Sequence, residues 1–218
     1  MRYGKVRTST LFSVACAYRA LLFSQLPIRS LLVCCSLVGA LGGKLRQQPS
    51  LLIRLTFPWG ILIQYYEVPT KLAPFMRPDE RPSFAGLTPA ERTLAAWFSG
   101  DADYRSDRLK LISYVPEGPY LVRKMVTGKP AIIGRKLPVK YKYTPQDGPK
   151  MDFIECELDI GSSSATARRI VSVCRRYMSA LTVDIGFVIE GKTPAELPEE
   201  MMGAIRVHEI DPIKAPTI

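Results

Sequence analysis

Between Asp152 and Ile160 the chain sets Phe153, Cys156 and Leu158 among Asp152, Glu155, Glu157 and Asp159. This short-period mixing of apolar and acidic residues predicts a half-buried strand. The period then lengthens. Ile170, Cys174, Tyr177, Met178 and Leu181 fall on one face of a 3.6-residue turn, predicting an amphipathic helix over 163–181. Gly161, Ser162, Ser163 and Ser164 lie between the two, a glycine to turn the chain and serines to cap the helix.

The same reading extends along the chain. Leu51–Phe57 and Ile61–Val68 are strand-like runs joined by Pro58-Trp59-Gly60, the signature of a hairpin. Residues 69–86 hold four prolines and are expected to form an extended surface loop. Thr88-Pro89-Ala90-Glu91 carries a capping residue, a proline suited to the first helical position and a glutamate to close a capping box, so a helix is expected to about Phe98, before Gly100. Thr193-Pro194-Ala195-Glu196 repeats the device and predicts a short helix over 194–202. Further strands are expected at Leu109–Val115, Tyr120–Val126, Ala131–Leu137, Val139–Tyr143, Val183–Glu190 and Ala204–Ile210. The fold class is α+β: an antiparallel sheet packed against one long helix in the C-terminal half and two short helices.

Charge divides the chain. The net +10 over 218 residues comes mostly from the start: eight basic residues precede the first acidic one, Glu67, and from there 22 basic residues face 20 acidic ones. A nearly neutral body weakens a nucleic-acid reading, which needs a basic patch on the folded part. The domain is therefore placed at 51–218, after a basic, apolar segment 1–50. In that segment Leu11–Phe23 and Leu31–Leu41 are both too short to span a bilayer, and Pro27 and Arg29 separate them. A secretory signal, an organelle presequence and a gene-model artefact all remain open for it. Five cysteines without metal-ligand spacing suit a reduced compartment, with Cys156 and Cys174 used as small core residues.

Little else changes the picture. No nucleophile–base pair or metal set is visible, one histidine (His208) is present, and neither a cofactor nor an enzymatic activity is expected. Gly161–Ser164 could offer backbone N–H groups and hydroxyls to a phosphate at the positive end of a helix, with Arg168 and Arg169 nearby. The plainer and commoner reading is a serine cap, with Asp159 balancing the arginines. Lys129, Arg135 and Lys136, beside Gly128 and Gly134, could meet an acidic surface or simply rim a hairpin. Trp59, Tyr65 and Tyr66 could line an apolar cavity or pack within the core. Asp184 and Glu190 are placed to pair with the helix arginines.

Several phrases, in order, resemble the C-terminal domain of the enhanced disease resistance two family of plants and protists. They are Arg108–Arg123, Lys129–Leu137, Leu158–Ser164, Phe187–Thr193, Glu196–Glu199 and Gly203–Val207, within an overall likeness over about 51–212. In plant relatives this domain often follows pleckstrin-homology and START-type domains. The resemblance thus implies work near phosphoinositide-bearing membranes. A non-enzymatic lipid-binding or membrane-associated domain is expected, cytoplasmic and peripheral to membranes. Its ligand or anion contacts would come from Gly161–Ser164, Arg168, Lys129, Arg135 and Lys136. Phospholipid or an anionic membrane surface is the expected partner, and nucleic acid is not. The alternative is a protein-interaction or regulatory module with no small-molecule ligand, docking through a sheet edge or the proline-rich loop 69–86.

Overall fold

The computed structural model describes residues 30–32, 47–148 and 151–210. The apolar run Leu11–Phe23, most of Leu31–Leu41 and three of the cysteines lie outside the described residues.

Among the described residues, nine strands form two sheets. β1 (Ser30–Leu32), β2 (Ser50–Phe57), β3 (Gly60–Glu67), β6 (Val139–Thr144) and β7 (Phe153–Asp159) make a five-stranded sheet in the order β1-β3-β2-β7-β6. β4 (Leu109–Glu117), β5 (Ala131–Ile132), β8 (Thr182–Ile189) and β9 (Met201–His208) make a four-stranded sheet in the order β5-β4-β8-β9. The α+β class holds, but one antiparallel sheet becomes two, and β2 pairs with β7 in parallel. A parallel pair needs a long crossover. The chain between β3 and β6 supplies it, and contains two strands of the second sheet.

Buried on both faces, β2 is the central strand: Leu51, Leu52, Ile53 and Leu55 are all nearly inaccessible. Leu51, Ile53 and Leu55 share the inner face with Leu62, Tyr66, Ile154, Cys156 and Leu158. Leu52, Tyr65 and Phe153 form a smaller cluster on the other face. Phe153 thus parts company with Cys156 and Leu158, joining the face of Glu155 and Glu157, as its odd-numbered position requires.

α1 (Pro89–Ser99) begins with the predicted capping box. Thr88 Oγ1 accepts from the Glu91 N–H at 3.3 Å, and the Thr88 N–H donates to Glu91 Oε2 at 3.2 Å. Leu94, Trp97 and Phe98 of this helix fill one end of the space between the sheets, against Phe187 and Ile189 of β8. α2 (Ala102–Ser106) follows, capped by Asp101.

Four expectations are corrected. The stretch 69–86 is not wholly a surface loop: Thr70–Met76 winds into a 3₁₀ helix that buries Leu72, Phe75 and Met76. Their spacing puts these apolar residues on one side of a turn, a signal the prolines masked. Tyr120–Val126 is not a strand but α3 (Tyr120–Met125), in which Val122 alone is buried. Gly118 has φ +142°, a left-handed-side conformation suited to glycine, and turns the chain there so that Pro119 can start the helix. In the predicted strand Ala131–Leu137, extended pairing stops at Ile132 and a 3₁₀ turn, Ile133–Arg135, takes over. There Gly134 lies so close to Ser106 that a Cβ would stand 2.3 Å from the Ser106 carbonyl oxygen. The predicted helix 194–202 shrinks to the turn Pro194–Glu196, because Pro198 disfavours helical geometry at Leu197 and the chain re-extends into β9 from Met201.

Candidate functional site

The predicted long helix forms as α4 (Ala165–Arg176), capped by Ser164 Oγ, which accepts from the Ala167 N–H at 3.3 Å. A 3₁₀ turn, Met178–Ala180, extends it towards β8. None of its residues is fully buried, although its apolar stripe is well defined. The stripe does not sink into the main core. It walls a cavity of about 240 Å³ between the two sheets, at the end opposite α1.

Leu55, Phe57 and Leu62 line this cavity from the five-stranded sheet, and Trp59 lines it from the hairpin turn. Leu111, Ser113 and Val115 of β4, Val183 and Ile185 of β8 and Val207 of β9 line the other side. Ile170, Val171 and Cys174 of α4, with Met178 and Leu181, close it. No charged residue lines the space among the described residues, and Ser113 contributes its one hydroxyl. Phe57 and Trp59 stack with ring centroids 4.8 Å apart. Burial pushes the Cys174 thiol above its ordinary value, which keeps it protonated and poorly nucleophilic.

The three aromatic residues divide between the roles proposed for them. Trp59 lines the cavity, Tyr66 is core, and Tyr65 sits on the opposite face, where its hydroxyl accepts from Ser50 Oγ at 2.5 Å. Cavity residues on β4, β8 and β9 escaped the sequence reading, since their alternation announced a buried face and nothing more.

At the start of α4 the chain supplies its own anion. Asp159 accepts from the Gly161 N–H at 2.9 Å and from the Ser162 hydroxyl. Ser163, buried, donates to the Ile160 carbonyl at 2.7 Å, and Arg168 reaches the Gly161 carbonyl at 3.4 Å. Every hydroxyl of the serine run therefore has an internal partner. Lys129, Arg135 and Lys136 are exposed on a different part of the molecule: their loop packs on α2 and β4, and Arg135 pairs with Asp107 at 3.0 Å. The helix start and this loop are not brought together into one cradle.

Asp184 and Glu190, expected to meet the helix arginines, pair elsewhere. Asp184 takes both arms of Arg206 on β9, at 2.6 and 2.7 Å, and Glu190 lies 3.4 Å from Lys110. Asp152, read with the acidic strand face, is instead a buried acceptor for Arg77 Nε at 2.8 Å, the Tyr143 hydroxyl at 3.0 Å and the Gln146 N–H at 2.8 Å. Burial and the Asp152 carboxylate together push the Tyr143 phenol up to about 12. His208 Nδ1 lies 3.0 Å from Thr182 Oγ1 across β8 and β9, and so belongs to the sheet. No group of three potential metal ligands occurs among the described residues. Nor is any described helix long and apolar enough to cross a membrane.

The profile of the family described as Protein ENHANCED DISEASE RESISTANCE 2, C-terminal, matches residues 29–211. The chain belongs to this family. The match covers both sheets and α4, and it begins just before β1, which pairs with β3 at the edge of the larger sheet. A relative from Arabidopsis thaliana, "Protein ENHANCED DISEASE RESISTANCE 2-like", is 34% identical over 112 residues, which is 51% of this chain and 15% of the relative. The matched stretch is thus a small part of that protein's length. No solved structure matches the chain.

Proposed function

We propose that this domain binds a lipid without catalysing a reaction, seating one acyl chain or a similar apolar segment in the cavity behind α4. The lining carries the proposal. It is aliphatic and aromatic throughout, with a single hydroxyl and no charge among the described residues, which suits hydrocarbon and gives water few partners. Size supports it too. At about 240 Å³ the space exceeds the ~150 Å³ that accommodates benzene in an engineered core.

The test is titration of the full chain with a fluorescent fatty acid, compared with a variant carrying Val183→Phe and Ile185→Phe. Both positions line the cavity and are only half-buried, so the rings have space to enter. Saturable binding by the parent chain is expected, with loss of at least tenfold in affinity in the variant and a thermal midpoint equal or higher. Equal binding by both chains, or none by the parent, would contradict the proposal.

A further inference from the structure

α4 is unusual for a helix that walls a cavity. Its outward surface carries Arg168, Arg169, Arg175 and Arg176, all exposed. The seven-residue intervals from 168 to 175 and from 169 to 176 stack them in two rows along the helix. Cations on a solvated helix are commonly matched by carboxylates three or four residues away. Residues 163–181 contain none. Among the described residues no carboxylate lies within ion-pair distance of these arginines; Arg168 reaches only a carbonyl, and Arg175 lies 5.8 Å from the Trp59 ring centroid. The nearest acidic residues in sequence on either side, Asp159 and Asp184, are engaged by Ser162 and Arg206.

α3 lies alongside. Its buried Val122 clusters with Val115 and Leu181, and Val173 and Cys174 of α4 pack against that cluster. Facing outward, α3 presents Tyr120 at 71% exposure and Leu121 at 55%, the two most exposed large apolar side chains among the described residues. Arg123 and Lys124 follow them, both exposed, with Lys124 5.6 Å from the Tyr120 ring centroid. Tyr177, 39% exposed, ends α4. The two helices therefore offer six cations, apolar tips and no acidic residue, whereas the rest of the chain from residue 67 onward holds 16 basic residues (22 less these six) against 20 acidic ones.

We propose that the α3–α4 face docks on an anionic phospholipid surface. Tyr120 and Leu121 enter the boundary between headgroups and acyl chains, while the six cations meet lipid phosphates. Leu121 favours this partner: an exposed aliphatic tip gains from hydrocarbon and gains nothing from a nucleic-acid backbone or a purely charged polypeptide. Docking would hold the helix that walls the cavity at the bilayer, the source of an acyl chain. That last step rests on the lipid-binding reading above; the docking itself does not.

Sedimentation of the full chain with vesicles tests the proposal, using phosphatidylcholine alone and phosphatidylcholine mixed with phosphatidylserine. Binding should require the anionic lipid and fall steeply with salt. Each cation removed should weaken it about fivefold, so Arg169→Glu with Arg176→Glu should weaken it by at least about 25-fold. Leu121→Ser should weaken binding at high salt, where the apolar contribution dominates. All three side chains lie outside the cavity lining, so binding of the fluorescent fatty acid should be unchanged, and an unchanged thermal midpoint is the control for folding. Equal sedimentation of the parent and the double variant would overturn the docking proposal. So would vesicle binding without dependence on anionic lipid, or tighter arginine-dependent binding to duplex DNA or a polyglutamate than to the vesicles. Loss of vesicle binding with fatty-acid binding retained supports docking, whereas arginine-dependent vesicle binding with no fatty-acid binding supports docking and removes the cavity reading alone.

Discussion

Replacing Asp152 by alanine is expected to cost the fold about 3 kcal/mol, the largest loss of any single polar substitution in the larger sheet. Asp152 is 1% exposed and ties together three pieces of chain: Arg77 after the first 3₁₀ helix, Tyr143 of β6, and the Gln146 N–H in the β6–β7 connection. Its own backbone carbonyl accepts from Ser50 at 3.1 Å, so the same residue fixes the register of β2 against β7. Removing the carboxylate leaves the Arg77 guanidinium and the Tyr143 phenol without their acceptor. Arg77 is a third exposed and keeps Glu80 at 2.6 Å, which holds the loss towards the lower end of the range for breaking buried pairs. Asp152→Asn keeps the shape but turns an amide N–H₂ towards donors, and should recover less than half of the loss. Urea unfolding of the three chains measures this. A loss below about 1 kcal/mol for Asp152→Ala would mean that the hub is incidental.

The second large effect concerns the other sheet. Arg108 and Glu196 pair at 3.0 Å with side chains 11% and 15% exposed. Arg108 also donates to the Glu190 carbonyl at 3.1 Å and lies 4.3 Å from the Tyr104 ring centroid. Glu196 accepts from the Lys192 and Thr193 N–H groups at 2.6 and 3.0 Å, so one carboxylate anchors the turn that leads into β9. Glu196→Ala should cost about 3 kcal/mol, since it strands a nearly buried guanidinium and releases the turn at Lys192 and Thr193. The double change Arg108→Leu with Glu196→Leu should cost clearly less than the sum of the two single changes, giving a coupling of about 2 kcal/mol in a double-mutant cycle. Acid should act in the same direction. Burial alone would raise the Glu196 carboxyl, but the Lys192 and Thr193 N–H groups and Arg108 outweigh it and hold the group below its ordinary 4.5. A carboxyl depressed in the folded state stabilises fully above its unfolded value. That stability is lost as the pH falls through the folded value, so the parent chain should lose more stability on acidification below 4.5 than the double-leucine chain.

Local periodicity made much of this architecture legible. The change from a strand-like to a helical period near residue 160 marks the handover from β7 to α4, and the Thr88–Glu91 motif marks the start of α1 to the residue. What stayed hidden depended on contacts distant in sequence. The parallel pairing of β2 with β7 joins residues a hundred positions apart, and no local pattern encodes it. α3 has one buried residue in six, so its apolar pattern is too sparse to separate helix from strand. The serine run shows the limit of motif reading: Asp159 takes the Gly161 N–H and the Ser162 hydroxyl, Ser163 bonds the Ile160 carbonyl, and Ser164 caps α4. The cavity is assembled from both sheets, the Trp59 turn and α4. Its residues look, strand by strand, like ordinary core. The unmatched arginines of α4 were visible in the sequence, but their lack of carboxylate partners became visible only once Asp184 was seen with Arg206.

Methyl-resolved NMR of the full chain during addition of lauric acid tests the central claim most directly. The account predicts saturable shifts at Leu111, Val171, Val183 and Ile185, which line the cavity from β4, α4 and β8, with Leu52 on the far face of the larger sheet unmoved. Shifts confined to the exposed Leu121 and Leu197, or none at any ratio, would contradict it.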